Sequence, residues 1–232
     1  AQQAVIDVER AIALAPRHIS RYQLTLEPGT ASEKRPPELP DDEAAFAMQG
    51  ACQDRLAAAG YRQYEVSAYA QPGSQCRHNL NYWNFGDYLG IGAGAHGKTT
   101  DPDTLAVTRT ERVKQPGRYL SAAQAHDRIA ATRVIAASDL SFEFFLNVLR
   151  LTDGFDATAF EERTGQSLEV VSRELATAQE RGLLVQGAPG HWAPTTHGRL
   201  FLNDLQAIFL PVDPHPGRSG RLGVLAMPGT IG

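Results

Sequence analysis

The order of periodicities over residues 1–70 constrains the fold most: helix, strand, helix, strand. Val5, Ile6, Val8, Ile12 and Leu14 recur near helical spacing until Pro16 ends the run. In HISRYQLTLEPGT, Ile19, Tyr22, Leu24 and Leu26 are strand-like, and Glu27-Pro28-Gly29 closes the strand in a turn. A polar, Pro-rich loop follows. Asp41 or Asp42 then caps a helix carrying Ala44, Phe46, Met48, Cys52, Leu56 and Ala59, which Gly60 stops. RQYEVSAYA reads as a second strand. Such alternation, with short connections, predicts an α/β fold with parallel strands.

After Asp101 the pattern changes. Residues 101–136 read as irregular, with one short helix from Tyr119 to Ala125. Ser138 starts a strong helix with Phe142, Phe145, Leu146, Val148 and Leu149 apolar. Helices follow from Ala157 to Arg163 and from Leu168 to Arg181, the latter lined by Val171, Leu175 and Ala178. LLVQGAPGHWAPT predicts a hairpin with Ala188-Pro189-Gly190 at its tip, and a last helix runs from Thr196 to Phe209. Helix, helix, hairpin, helix is a winged-helix-like order. Its acids and bases alternate without a basic stripe, so a packing module is preferred over a DNA reader. The Pro/Gly-rich stretch 211–232 is expected to be disordered.

Composition removes several classes. The 232 residues suffice for one large domain or two small ones, and a net charge of −4 argues against general affinity for nucleic acid or anionic membrane. No run approaches the ~20 apolar residues of a membrane span. Two cysteines, Cys52 and Cys76, cannot make a disulfide framework or an all-cysteine zinc site, so the cytoplasm is the expected compartment. The chain opens in what reads as the middle of a helix, without methionine. The expectation is a piece whose front is missing; the alternative is a trimmed initiator methionine.

Three clusters could carry chemistry. In Gly90-Ile91-Gly92-Ala93-Gly94-Ala95-His96-Gly97, glycines at alternate positions bare one face of an extended segment. That suits close approach of a flat ligand or equally of another backbone. Thr99-Thr100-Asp101-Pro102 follow instead of an apolar helix, so the run is no dinucleotide fingerprint. His78-Asn79-Leu80-Asn81-Tyr82-Trp83 packs an imidazole, two amides and two aromatics together. On a helix His78 and Tyr82 share a face. Imidazole binds iron, zinc or copper, and aromatic faces suit a conjugated ligand. The bland alternative is a docked helix whose His78 is hydrogen-bonded locally. Third, Gln23, Thr25, Glu65 and Ser67 fall at strand ends, where parallel βα folds gather ligands; Glu65 either lines that interior or is a solvated acid.

The ordered set HISRYQLTLEPGT, LPDDEAAFA, AAAGYRQYEVSAYA, CRHNLNYW and DYLGIGAGAHGKTT closely resembles the HemW family. These are radical-SAM proteins related to oxygen-independent coproporphyrinogen III oxidase and described as heme chaperones. The resemblance continues through FEFFLNVLRLTDGF and THGRLFLNDLQAIFL to about Leu210. It implies the C-terminal part of a partial (βα)6 radical-SAM barrel over 1–100, a connector over 101–137 and a helical winged-helix-like domain over 138–210. It also implies a [4Fe–4S] cluster on a C-x-x-x-C-x-x-C motif, a spacing absent here and therefore expected in a missing front. By resemblance Thr25, Ala95 and His96 lie beside S-adenosylmethionine. The resemblance also implies His78 as the heme-iron ligand, with Tyr82 and Trp83 around it. The implied partners are heme and heme-accepting proteins, with peripheral contact to membrane-bound acceptors and none to nucleic acid. The oxidase, which decarboxylates propionates by SAM radical chemistry in porphyrin biosynthesis, is the alternative. It carries an Arg-Asn-Phe-Gln-like sequence where this chain has HNLNYW, which favours the chaperone.

Overall fold

The computed structural model describes residues 2–24, 26, 28–124 and 126–211. Thr25 and the expected tail over 212–232 lie outside the described residues. The chain forms two compact units. One holds the described residues of Ala1–Leu80 and Leu151–Asp153, the other those of Asn81–Arg150 and Gly154–Gly232.

The first unit contains α1 (Gln2–Ala13), β1 (His18–Ser20), α2 (Ala31–Lys34), α3 (Asp42–Ala58), β2 (Arg62–Glu65) and β3 (Ala68–Ala70), and the start of α4 (Arg77–Trp83). Helix α1 buries Val8 in a cluster with Cys52 and Leu56 of α3, Ile19, Tyr61 and Tyr69, and packs the partly buried Ala4, Val5, Ala11 and Ile12 against it. These are one helical stripe; Ile6 and Leu14, expected on the same face, are exposed. The Asp41 carboxylate accepts from the Ala44 amide at 2.8 Å, satisfying an otherwise unpaired donor of α3. Gly60, with φ +85°, ends the helix region as expected.

The expected parallel pairing does not form. The sheet order is β1-β3-β2 and both pairings are antiparallel. The segment read as one strand folds back on itself: Glu65 pairs with Ala68 across the two residues Val66 and Ser67. The Glu65 carboxylate accepts from the Ser67 amide at 3.2 Å and its hydroxyl at 3.1 Å, which secures the reversal. β1 and β2 thus run the same way, with β3 between them. The Thr152 amide donates to the Tyr64 carbonyl at 3.0 Å, beside a bridge from Glu65 to Leu151.

In the second unit, β4 (His96–Thr100), β5 (Val107–Arg112) and β6 (Ile129–Val134) make an antiparallel sheet, with α5 (Pro116–Ser121) before β6. Region 101–136 is therefore largely regular, contrary to the sequence reading. The Asp101 carboxylate shapes the β4–β5 hairpin by accepting from the Asp103 and Thr104 amides and the Thr104 hydroxyl. α6 (Ala137–Val148), α7 (Ala157–Thr164), α8 (Ser172–Glu180), β8 (Leu184–Gln186) and β9 (His191–Pro194) follow near their expected positions, with a short strand β7 (Phe155–Asp156) that was not expected and a 3-10 turn (Leu168–Val171) opening what reads as one helix. The last helix is broken at Phe201 into α9 (Thr196–Leu200) and α10 (Leu202–Ala207). The core of this unit is aromatic, with Phe85, Phe144, Phe145, Phe155, Phe160, Trp192 and Phe209 all buried. Glu143 of α6, 2% exposed, binds Arg109 of β5 at 2.6 Å and Arg133 of β6 at 3.1 Å. Arg109 and Arg133 are register partners, so one carboxylate ties two strands to the helix.

Candidate functional site

The HNLNYW block is helical, as its spacing allows, and lies on α4. In the first unit, His78 is exposed. Asn79 turns inward, its amide nitrogen donating to the Tyr64 hydroxyl at 3.1 Å. The same oxygen accepts from the Cys76 amide at 3.3 Å and faces His18 Nε2 at 2.9 Å. Tyr64 is 3% exposed, and burial pushes its phenol up to about 12 although the Cys76 and Asn79 bonds pull the other way.

Burial likewise lowers the His18 imidazole below 6.5, and the Glu65 charge opposes this only partly. The unfolded chain therefore takes up a proton at His18 before the folded chain does. The neutral imidazole's contribution to stability is full above pH 6.5 and is lost as pH falls through the depressed value. We expect the melting temperature to decline below pH 6.5 more steeply for the native chain than for His18→Gln. Parallel pH profiles would refute this assignment.

In the second unit, Tyr82 packs on Tyr88 with ring centroids 4.1 Å apart. Burial raises the phenols of both. Trp83 lies under the Arg150 guanidinium, 4.3 Å from its ring centre. The Asn81 amide nitrogen donates to the Asp87 carbonyl at 2.9 Å. A side chain at Gly86 would strike Asn81, with its Cβ 2.2 Å from Oδ1, so only glycine lets the chain turn this tightly off α4. Phe85, just before it, adopts φ +55°, an unfavourable choice for an aromatic residue. Its buried ring is fixed by the Lys98 ammonium 4.0 Å over its face and by Phe144 at 5.8 Å.

The glycine run is a turn rather than an extended segment. Gly92 and Gly94 have φ +110° and +73°. The Gly94 amide bonds to the Val113 carbonyl, and the Gly92 amide donates to the Tyr119 hydroxyl at 3.0 Å. A Cβ on Gly90 would sit 2.3 Å from the His96 carbonyl oxygen, so the run closes on its own backbone. Ala95 is half-buried, its amide donating to Gly92 and its carbonyl accepting from Arg112. His96 is exposed, with Nδ1 3.9 Å from a Glu111 carboxylate oxygen.

Of the strand-end group, Gln23 is exposed and Glu65 is 1% exposed, which excludes a solvated acid. The residues present do not fit an iron–sulfur cluster. The chain has two cysteines, of which Cys52 is fully buried. Among the described residues no three His, Cys, Asp or Glu side chains are grouped to hold a metal ion. Nor is any helix among them long and apolar enough to cross a membrane.

The chain is 45% identical over 214 residues to the heme chaperone HemW of Escherichia coli (strain K12), covering 90% of this chain and 54% of that protein. The chain is similar to HemW proteins over about nine-tenths of its own length. HemW of Haemophilus influenzae is 44% identical over 209 residues, with 90% and 53% covered, and HemW of Bacillus subtilis is 30% identical over 210, with 88% and 53% covered. The chain thus spans about half the length of the HemW relatives it matches. Residues 135–201 match the HemN C-terminal domain. The fold resembles that of coproporphyrinogen III oxidase (HemN) from Escherichia coli, a radical SAM enzyme, with a TM-score of 0.65 at 15% identity over 87% of this chain and 50% of that one. The mixed α/β class read from the sequence agrees with this likeness.

Proposed function

We propose that this chain belongs to a heme chaperone, that it takes heme as cargo, and that His78 is the residue that ligates the iron. The carrying observation is the disposition of the HNLNYW block in a chain 45% identical to a protein named heme chaperone. Asn79 and Asn81 are engaged within their own units, Trp83 lies under Arg150, and the His78 imidazole is exposed at the start of a helix. A neutral imidazole nitrogen is a good ligand for heme iron.

By the same reading, Ala95 and His96 would stand beside S-adenosylmethionine, whose chemistry when bound is radical generation. A [4Fe–4S] cluster, if the whole protein carries one, takes its ligands from residues other than these. Residues 138–210 are read as a winged-helix-like module, supported by the order helix, helix, hairpin, helix. A cytoplasmic setting agrees with the free thiols of Cys52 and Cys76. Heme-accepting proteins are the implied partners. The oxidase reading is not favoured, since the likeness to that enzyme is one of fold, at 15% identity.

Titration of the purified chain with hemin tests this. A Soret band of ligated heme is expected, with His78→Ala shifting the band and weakening affinity at least about tenfold, the order of one lost iron ligand. Unchanged spectrum and affinity in His78→Ala would overturn the assignment.

A further inference from the structure

Among the described residues the Tyr64 hydroxyl has an unusually complete set of partners. Its oxygen accepts from the Cys76 amide at 3.3 Å and the Asn79 side chain at 3.1 Å. A phenol has one proton to give, and with both acceptor positions used that proton points at His18 Nε2, 2.9 Å away. His18 must then accept at Nε2 and carry its own proton on Nδ1.

The two groups held by Tyr64 bracket one helical turn. Cys76 precedes α4, and its carbonyl accepts the first helical bond, from the Leu80 amide at 3.0 Å. Its own N–H is among those a helix start leaves without a helical partner. Asn79 lies three residues on. Between them stands His78. Tyr64 itself is fixed: it is carried on β2, and its side chain packs with Ala68, Ala70, Cys76 and Leu80.

We propose that Tyr64, oriented by His18, is a positioning residue for His78, clamping the first turn of α4 to the sheet so that the imidazole is held ready for an iron ligand bond. The proposal rests on the reading of His78 as the heme-iron ligand. The physical gain is preorganisation: a ligand already in place loses little freedom when the metal arrives. Tyr64 does not touch the cargo. Its effect passes through the backbone at Cys76 and the side chain at Asn79.

The test uses the full chain, with hemin as the probe and Tyr64→Phe, Asn79→Ala, His18→Gln and His78→Ala as variants, each checked for fold by circular dichroism. Tyr64→Phe keeps the ring and removes the hydroxyl. It should weaken hemin binding about tenfold, the size of a lost buried hydrogen-bond set, and move the Soret band toward that of His78→Ala. Asn79→Ala should move both in the same direction by less, and it decides the matter if Tyr64→Phe fails to fold. His18→Gln, which still offers an acceptor to the phenol proton, should keep the native band. A folded Tyr64→Phe with native band and affinity, while His78→Ala loses both, would overturn the clamp and leave the ligand assignment standing. No change in His78→Ala would overturn the ligand assignment and the positioning role with it.

Discussion

Phe144→Ala should lower stability by about 3–5 kcal/mol in equilibrium denaturation, the range for removing a fully buried aromatic ring. Phe144 is 0% exposed. Its ring meets the edges or faces of Phe85, Phe145, Phe155 and Phe160 at centroid distances of 5.8, 5.5, 5.7 and 5.1 Å, all near perpendicular. Such geometry adds to burial, because ring edges are positive and faces negative. The surrounding rings are rigid and held by α6, α7 and β7, so the void would not close readily. Phe46→Ala is the control. Sequence periodicity places Phe46 on the apolar side of α3, but it is 61% exposed, so its replacement should change stability by less than about 0.5 kcal/mol. A loss below about 2 kcal/mol for Phe144→Ala would show that this ring is not the centre of the core.

What was legible in the sequence follows from which forces hold each part. α6, α7, α8 and the β8–β9 hairpin were readable because each has apolar residues at a regular spacing and recognised stops. β5 and β6 were not. Their sequences, VTRTER and IAATRV, lack alternation because β6 is exposed throughout and β5 is tied through Arg109 to Glu143. Backbone pairing and a buried ion network leave no hydrophobic period to read. The reversal at Val66-Ser67 was missed for a different reason: it has no Gly, Pro or Asn, and depends on the Glu65 carboxylate bonding to Ser67. Within the candidate site, the helix carrying HNLNYW was legible from spacing. The Tyr64 hub was not, since His18 lies 46 positions from Tyr64 and meets it only through the order of three short strands.

Asp87→Ala should cost more than removing its cationic partner, and that asymmetry reports how Lys98 is held. The Lys98 ammonium is 2% exposed. It donates to Asp87 Oδ1 at 2.8 Å and to the Phe85 carbonyl at 2.9 Å, and lies over the Phe85 ring. Asp87 also accepts from the Thr100 hydroxyl at 2.8 Å and the Thr100 amide at 2.7 Å. Burial alone would raise its carboxyl, but the Lys98 and Thr100 bonds prevail and hold it below 3.8. The stability this carboxylate supplies is therefore present above pH 3.8 and lost as pH falls through its depressed value. Removing Asp87 at neutral pH strands a buried cation. The usual cost is about 3–5 kcal/mol, and because Asp87 is 39% exposed and water can follow it in, about 2–4 kcal/mol is expected. Lys98→Met removes the charge, keeps the volume and leaves Asp87 open to water, so its cost should be about 1 kcal/mol, chiefly the unpaired Phe85 carbonyl. Asp87→Ala combined with Lys98→Met should recover stability relative to Asp87→Ala alone. Additive losses in that double-mutant cycle would mean that Lys98 does not depend on Asp87, and that the Phe85 carbonyl and ring suffice to keep a buried ammonium.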